Sequence, residues 1–578
     1  MQPVDFTTLT AICSEVRSQW LPARFEQVVQ RDRFTLSLAL RTLKKRGWLT
    51  ISWHPQAARL HLSDPPPRVP DTFTFSQQIR HQLGNLALVE IVPVSPWERA
   101  LDLRFAQRPG DPALWHLYVE IMGKYSNVIL VNQENLIITA AHQVSSSQSS
   151  VRPIQTGQPY EMPPALNDPA PSLSEPFERW RDRVSLVPGA IRKNLLKPYR
   201  GVSSALVLTM LQAAEIDPDR STETFSEKDW QHLFDYWQRW LKALEAEQFE
   251  PGWTAQGYTV LGWGMVRSGK SGQEVVDRYY RDQLNQQEFN QLRHQITQRL
   301  NNALGKLRTK AQGFHDRLGQ SDQADESKRQ ADLLMAHLHL WQPGMKSIEL
   351  DDFETGEPVT IPLDPEKNAV LNAQALYKKH QKLKRTRAAI EPLLAEVQSE
   401  IDYLEDVEAA IAQFETYETP DDLDAIAEIR DELIQQGYLE DSEYRKASTQ
   451  ENSETQPYRY TTPNGFELLV GRNNRQNDQL TFRTATEYDL WFHTQEIPGS
   501  HVLLRLEPGT KPDEKDLQFA ANFTAFHSRA RQSEQVPVIY TEPKNVYKPK
   551  GAKPGTVIYK HERVIWGQPQ QAKNLKSS

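Results

Sequence analysis

Residues 376–411 read LYKKHQKLKRTRAAIEPLLAEVQSEIDYLEDVEAAI, and within them Leu376, Leu383, Ile390, Val397, Leu404 and Ile411 fall seven apart without a break. A seven-residue apolar repeat keeps one seam of a helix turned toward a partner, so this stretch is read as one arm of a coiled coil. Pro392 lies inside the arm and is placed to kink it, because its ring removes a backbone donor. A first arm precedes it: Phe289, Leu292, Ile296, Leu300, Leu304, Leu307, Ala311, Phe314 and Leu318 recur at intervals of three and four. Between the arms, residues 341–365 are strand-like and punctuated by Gly and Pro. The arms are therefore expected to fold back as a long antiparallel hairpin with a small tip at about 337–365. At ~1.5 Å per residue, an arm of about forty residues reaches ~60 Å. Such a lever suits a protein that bridges distant points on a large partner, although a dimerising coiled coil has the same periodicity.

The chain around this hairpin is 578 residues long, more than one hydrophobic core accommodates. Charged residues make up 25% of it, mean hydropathy is −0.64, and no run approaches the apolar length a membrane helix needs. The opening Met-Gln-Pro-Val-Asp-Phe carries no basic-then-apolar signal. A single cysteine, Cys13, excludes an intrachain disulfide and a cysteine-clustered metal site. These features point to a soluble, reducing, cytoplasmic compartment. The net charge is −8, but its distribution is uneven, and the unevenness is informative.

Upstream of the hairpin, residues 1–165 read as a mixed α/β domain. A helix over 5–21 precedes strands at 35–40 and 48–53, and residues 1–62 hold nine Arg/Lys against four acids. A second similar unit follows, with a helix over 73–86 and strands at 87–92, 100–105, 113–120 and 127–131. The Pro-rich stretch 161–176 sets a boundary, and residues 166–275 form a linker and helix–hairpin–helix domain. Its hairpin glycine, Gly201, is of the kind that lets a backbone approach phosphate, with free N–H groups behind Ser203. Residues 264–271, GMVRSGKS, match the phosphate-loop pattern, with Lys270 and Ser271 as the phosphate and magnesium contacts. The following helix runs into the coiled coil and no second magnesium-binding aspartate follows, which weighs against a nucleotide hydrolase.

Downstream, residues 276–415 comprise the hairpin and 416–456 an acidic helical linker. The sign then reverses: from Tyr458 to the end there are seventeen Lys/Arg and twelve Asp/Glu. Residues 457–570 are expected as an α+β domain, with a disordered tail at 571–578. Within this domain, alternating Phe466, Leu468 and Val470 lead into an all-polar turn, Arg472 to Asp478, and two further strands carry Asp489-Leu-Trp-Phe-His493 and His501 to Arg505. Guanidinium forks contact phosphates and base edges, amides pair with base edges, and aromatic planes stack on unpaired bases. Arg472, Asn473, Asn474, Arg475 and Asn477, with Trp491 nearby, thus suggest an RNA surface, set against the plainer alternative of a β-turn beside a buried Trp. Lys544, Lys548, Lys550 and Lys553, interleaved with Tyr540, Tyr547 and Tyr559, extend that surface. Asp489, His493, Ser500 and His501 could in principle form a hydrolytic or di-histidine site. Ser500 has no nucleophile-elbow context and no third ligand has suitable spacing, so no catalytic residue, metal or cofactor is expected.

The chain strongly resembles the NFACT family, the RqcH/NEMF-type ribosome quality-control factors, once described in bacteria as fibronectin-binding proteins. The most specific matches are 470–478 (VGRNNRQND), 489–493 (DLWFH), 497–502 (IPGSHV) and 546–555 (VYKPKGAKPG) of the RNA-binding R-domain. The N-domain is echoed by 122–130 (MGKYSNVIL) and by Asp5, the middle domain by 331–336 (ADLLMA), 361–365 (IPLDP) and 372–377 (NAQALY). The resemblance implies a tRNA-delivering factor, not an enzyme. Such a factor binds large ribosomal subunits that carry peptidyl-tRNA and recruits tRNA, in bacteria charged with alanine. A template-free C-terminal alanine tail then marks the stalled chain for degradation, with peptide transfer left to the ribosome. It further implies that Asp5, Glu98 and Arg99 serve tRNA binding and tailing, and that Asp489, Trp491, His493 and His501 belong to the RNA-binding set. The coiled coil would reach ribosomal RNA and proteins at the stalk base. Glu98-Arg99 stands where the family usually has Asp-Arg, one methylene shorter. A surface adhesin for fibronectin and a phosphate-loop ATPase scaffold are the alternatives.

Overall fold

The computed structural model describes residues 1–67, 70–145, 147–149, 152–164, 168–321, 323–440 and 455–576. The expected boundary at 165–166 and residues 441–454 of the expected linker at 416–456 lie outside the described residues. Two compact units share the chain, Met1–Leu284 and Asn285–Ser578.

In the first unit, Asp5 caps helix α1 (Phe6–Trp20), its Oδ1 accepting from the Thr8 N–H at 2.8 Å. The cap satisfies a donor that the first helical turn leaves free. Strands β1 (Ala23–Asp32), β2 (Thr35–Arg41), β3 (Arg46–Ser52) and β4 (Arg59–Ser63) form a meander, followed by α2 (Thr74–Leu83). A second meander comprises β5 (Ala87–Pro93), β6 (Ala100–Ala106), β7 (Trp115–Glu120), β8 (Asn127–Asn132) and β9 (Ile137–Ala140). The halves expected as two similar units are one continuous sheet of order β4-β3-β2-β1-β5-β6-β7-β8-β9. They join where β1 pairs antiparallel with β5, Ala23 opposite Leu88 and Arg24 opposite Ala87. Strand β1 is hidden in the sequence because a bulge after Phe25 interrupts its alternation. Alternation along β2 turns Leu36, Leu38 and Leu40 to one face, where they pack with Leu9, Ile12 and Val16 of α1 and Ile79 and Leu83 of α2.

Four helices follow: α3 (Phe177–Val184), α4 (Ile191–Leu196), α5 (Ser204–Ala213) and α6 (Glu227–Ala246). They close around Trp180, Trp237 and Trp240, and α4–α5 is the expected helix–hairpin–helix. A small sheet of β10 (Gly252–Trp253), β11 (Tyr258–Thr259) and β12 (Arg267–Ser268) leads into α7 (Gly272–Ser321), which continues into the second unit. The phosphate-loop match at 264–271 folds differently from its namesake. Its centre is strand β12, paired antiparallel with β10. At the start of α7 the N–H groups of Gly272 and Gln273 donate to the Glu15 carboxylate at 2.7 and 3.2 Å, and the Lys270 N–H donates to Glu274 at 3.0 Å. A helix start of that kind attracts an anion, and the chain supplies its own carboxylate.

The second unit contains the hairpin. α7 and α8 (Gln323–Ala336) form the outgoing arm, β13 (Ser347–Asp351) and β14 (Pro358–Pro362) the tip, and α9 (Ala369–Ala412) the return arm. At the base, Phe289, Ile296, Leu300 and Leu304 pack against Val397, Leu404, Val407 and Ile411, the expected seam. Nearer the tip, Leu376 and Leu383 are half-buried. α9 runs through Pro392 as one helix. The acidic stretch is a packed element: α10 (Pro420–Gln435) buries Ala425, Ile426, Ile429 and Leu433 in the same base core.

The C-terminal domain comprises β15 (Tyr458–Thr461), β16 (Glu467–Val470), α11 (Asn474–Gln479), β17 (Leu490–Thr494), β18 (Val502–Leu504), α12 (Glu514–Phe526), β19 (Val536–Thr541), β20 (Val546–Tyr547), β21 (Ile558–Tyr559), β22 (Arg563–Gly567) and α13 (Pro569–Lys576). Its antiparallel sheet has the order β15-β16-β18-β17-β19-β22, with β20–β21 a separate ribbon. Ala520, Ala521 and Phe523 of α12 seal one face with Phe492, Val502 and Val538. Residues 571–576, read as disordered tail, are helical. The correction has a packing cause: Ala572 is fully buried in this core, and Asn522 donates to Gln571 at 3.0 Å.

Candidate nucleic-acid interface

The polar stretch from Arg472 to Asp478, read as a turn, is the start of a helix. Asn473 is extended (φ −152°) and caps α11 by accepting the Gln476 N–H at 2.9 Å. Its amide nitrogen donates to Glu428 of α10 at 2.6 Å, so the cap also fastens the domain to the hairpin base. Asn477 Oδ1 accepts the His501 N–H at 3.0 Å, and the Trp491 indole donates to Thr481 Oγ1 at 3.0 Å, with His501 Nδ1 2.7 Å from that same oxygen. Asp489 accepts from the Thr486 and Leu506 N–H groups at 2.7 and 2.9 Å and forms an ion pair with Arg505 at 3.2 Å. Asn473, Asn474, Asn477, Asp489, Trp491 and His501 are all buried. Asn477, Asp489, Trp491 and His501 bond within the domain and Asn473 reaches Glu428, while the Asn474 amide nitrogen has no hydrogen-bond partner among the described residues. Their side chains therefore build the interior of the domain.

The histidines follow the same logic. Burial pushes the His501 pKa down to about 3, with neighbouring His493 as a second, smaller cause, and burial holds His493 at about 4. Both rings are neutral near neutral pH. Ser500 is buried and its Oγ donates to the Gly471 carbonyl at 2.6 Å, which orients the strand turn and aims no nucleophile at a cleft.

The exposed chemistry lies in residues 544–560. Lys548 pairs with Asp478, and the Gly555 N–H donates to the same carboxylate at 3.1 Å. Gly555 has φ +80°, and a Cβ there would stand 2.7 Å from Asn474 Oδ1, so glycine is needed for this close approach. Lys553 sits over the rings of Tyr403 and Tyr438 at 4.9 and 4.4 Å and donates to the Tyr438 hydroxyl. Burial lowers its pKa. Two lysines thus hold the loop in place. Lys544 pairs with Glu542 at 2.5 Å, and Lys550 is exposed with no ion-pair partner among the described residues. Arg472 lies over the Tyr458 ring at 4.2 Å, and Arg475 donates to Gln435 at 2.5 Å. Glu428, Tyr403, Tyr438 and Thr481 escape sequence reasoning, because their roles arise from partners 10 to 150 positions away.

In the first unit the structure gathers three distant segments. Asp5 Oδ2 accepts from Ser203 Oγ at 2.5 Å, and Ser203 in turn accepts the Leu206 N–H at 3.0 Å, capping α5. Arg99 donates to the Val4 carbonyl at 3.3 Å, and Trp97 (φ +64°) stacks on Phe6 at 4.7 Å. A Cβ on Gly201 (φ +77°) would stand 2.7 Å from Trp97. The hairpin glycine read as a phosphate contact thus makes room for an indole, and the helix start behind it is closed by Ser203. Glu98 Oε1 is buried with no hydrogen-bond partner among the described residues. Asp5, Arg99 and the loop bearing Glu98 therefore converge where α1 meets the turn between α4 and α5, although nearly two hundred residues separate Asp5 from Ser203.

Two family profiles cover the chain: the NFACT N-terminal and middle domains match residues 5–452, and the NFACT protein RNA binding domain matches residues 456–561. Among curated proteins, the Rqc2 homolog RqcH of Bacillus subtilis (strain 168) is 30% identical over 96% of this chain and 96% of its own length. The Rqc2 homolog RqcH of Streptococcus suis (strain 05ZYH33) is 30% identical over 97% of each. Among solved structures, the C-terminal part of the fibronectin/fibrinogen-binding protein from Streptococcus suis is 30% identical, covers 50% of this chain and 98% of that one, and superposes with a TM-score of 0.38. The chain belongs to the NFACT family of RqcH-type ribosome quality-control proteins.

Proposed function

We propose that this protein binds stalled large ribosomal subunits carrying peptidyl-tRNA and recruits a tRNA, charged with alanine, for template-free C-terminal tailing of the nascent chain. The observation that carries this proposal is the coverage of nearly the whole chain by the NFACT N-terminal, middle and RNA-binding domains. Peptide transfer remains with the ribosome, the protein acts in the cytoplasm, and its contribution is to hold RNA in place. In the RNA-binding domain Arg475, Lys544 and Lys550 are the groups offered to phosphates, while Lys548 keeps its pair with Asp478. Asp5, Glu98 and Arg99 serve the tRNA from the first unit, where Arg99 and Asp5 are already fastened to the fold and Glu98 keeps an unspent oxygen.

The return arm of the hairpin supports a partner rich in RNA. Residues 369–389 carry six Lys/Arg and no Asp/Glu, whereas residues 390–412 carry seven Asp/Glu and no Lys/Arg. The acidic half lies at the base, where Glu405 pairs with Arg308 and Arg529 at 2.6 and 3.0 Å. The basic half nearer the tip presents Lys378, Lys382 and Arg385, a stripe at helical spacing, suited to a phosphate backbone and to ribosomal RNA near the stalk base.

Sequencing the RNA that co-purifies with the tagged protein tests the proposal. Enrichment of one tRNA species with large-subunit RNA is expected, and a profile matching bulk RNA defeats it. Substituting Glu98→Ala together with Arg99→Ala is expected to abolish tailing while co-sedimentation with large subunits persists. Loss of both would reduce the pair to a structural role.

A further inference from the structure

The ribbon β20–β21 has two unlike faces. Val546 and Tyr559 stand opposite each other and turn inward, packing over Trp491 and Ile539. Tyr547 and Ile558, the next cross-strand pair, turn outward and are 49% and 53% exposed. Edge strand β22 repeats the pattern. Ile565 faces the α12 core, while Val564 and Trp566 point to the opposite face of the sheet and are 52% and 55% exposed. Their cross-strand neighbours are Ile539 and Pro537, so both stand on the sheet face that the ribbon partly covers.

Leaving a Trp, a Tyr and two aliphatic residues in water forgoes the burial that large side chains usually gain. The surroundings identify what covers them. Lys560 Nζ lies 5.9 Å from the Tyr547 ring centroid, Arg563 is exposed beside Val564, and residues 536–573 hold seven Lys/Arg against two acids. An apolar protein partner gains nothing from such a rim, whereas a polyanion with aromatic faces matches both parts. Base faces are available only where RNA is unpaired, since a duplex stacks them internally.

We propose that the outer face of β20–β21 and the exposed face of β22 form a stacking platform for an unpaired strand of RNA. Tyr547 and Trp566 supply the planes, and Lys560 and Arg563 supply the phosphate contacts. The proposal rests on the RNA-binding role of this domain and adds the kind of RNA it takes and the residues that select it. It also assigns Trp566, which lies outside every lysine-rich motif.

The test uses the full-length protein, with fluorescence anisotropy on a single-stranded oligouridylate and on a blunt RNA duplex of equal length. Trp566→Ala and Tyr547→Ala are each expected to weaken oligouridylate binding roughly tenfold and to leave duplex binding unchanged. Trp566→Phe should recover most of the loss, because a phenyl ring still stacks. Lys560→Gln with Arg563→Gln should weaken both RNAs and lower the slope of log affinity against log salt by about two. Wild-type affinity for the oligonucleotide in both alanine variants overturns the platform, as does equal loss on oligonucleotide and duplex. Unchanged binding of both RNAs with lost co-sedimentation on large subunits also overturns it, in favour of a protein contact. If the wild type binds neither RNA, the RNA-binding role fails first and the platform with it.

Discussion

Two segments of the C-terminal domain have nearly the same chemistry and opposite uses. Residues 472–505 are dense in Arg and Asn and carry two His and one Trp, yet Asn473, Asn477, Asp489, Trp491 and His501 are buried and bonded within the domain or to the hairpin base. Residues 544–566 are dense in Lys, with two Tyr and one Trp, and much of that chemistry faces water. The difference teaches that residue types suited to RNA do not by themselves mark an exposed surface. Strand alternation and helix capping decide which side a group faces, and most buried polar groups find their partners within the fold. The first segment sets the shape, and the second is displayed on it.

The sharpest way to break this contrast is Trp491→Ala. Its ring is fully buried beneath the ribbon and its N–H is bonded to Thr481, so about 3–5 kcal/mol of domain stability should be lost. Chemical denaturation of the wild type and variant measures it, and RNA affinity should fall only where folded protein falls. A stable variant that binds RNA poorly would move Trp491 from scaffold to contact.

The next effect depends on pH. His501 titrates at about 3 in the fold against an ordinary value of 6.5, so on acidification the unfolded chain takes the proton first. Stability present above pH 6.5 is therefore lost as pH falls toward 3, at up to about 1.4 kcal/mol per pH unit from this one group. Replacing His501→Asn should flatten the slope of unfolding free energy against pH in that window. An unchanged slope would show that the ring is already charged in the fold, and hence reachable by solvent.

The smallest effects separate two neighbouring lysines. Lys553→Ala removes a cation from two tyrosine rings and should cost ~1 kcal/mol of stability. Lys550→Ala should leave stability within ~0.5 kcal/mol and lower the salt dependence of RNA binding by about one unit of slope. Thermal melts and salt titrations run in parallel distinguish them, and matching behaviour would erase the contrast inside the loop.

Several features were legible before any coordinates. The heptad seam from Ile390 to Ile411 packs as its spacing requires, because side-chain periodicity is local geometry. Strands β2, β3, β5, β6, β7 and β8 were legible for the same reason. The all-polar stretch at Arg472 misled, since capping residues and turn residues are the same types and only the partner separates them. The phosphate-loop match is set aside on its context alone, but its letters say nothing of Glu15, more than two hundred residues upstream, whose carboxylate occupies the helix start.

The amino-acid sequence by itself determined the periodic elements, the order of the domains, the reversal of charge from the hairpin base to the C-terminal domain, and membership of the NFACT family. The tertiary structure alone decided that the two N-terminal meanders share one sheet, that Asp5 meets Ser203, and that Trp491 is hidden while Trp566 is displayed. Periodicity and composition depend on neighbours a few residues apart, so they can be read along the chain. Burial and hydrogen-bond partnership depend on which distant segments come together, and only the folded chain specifies that.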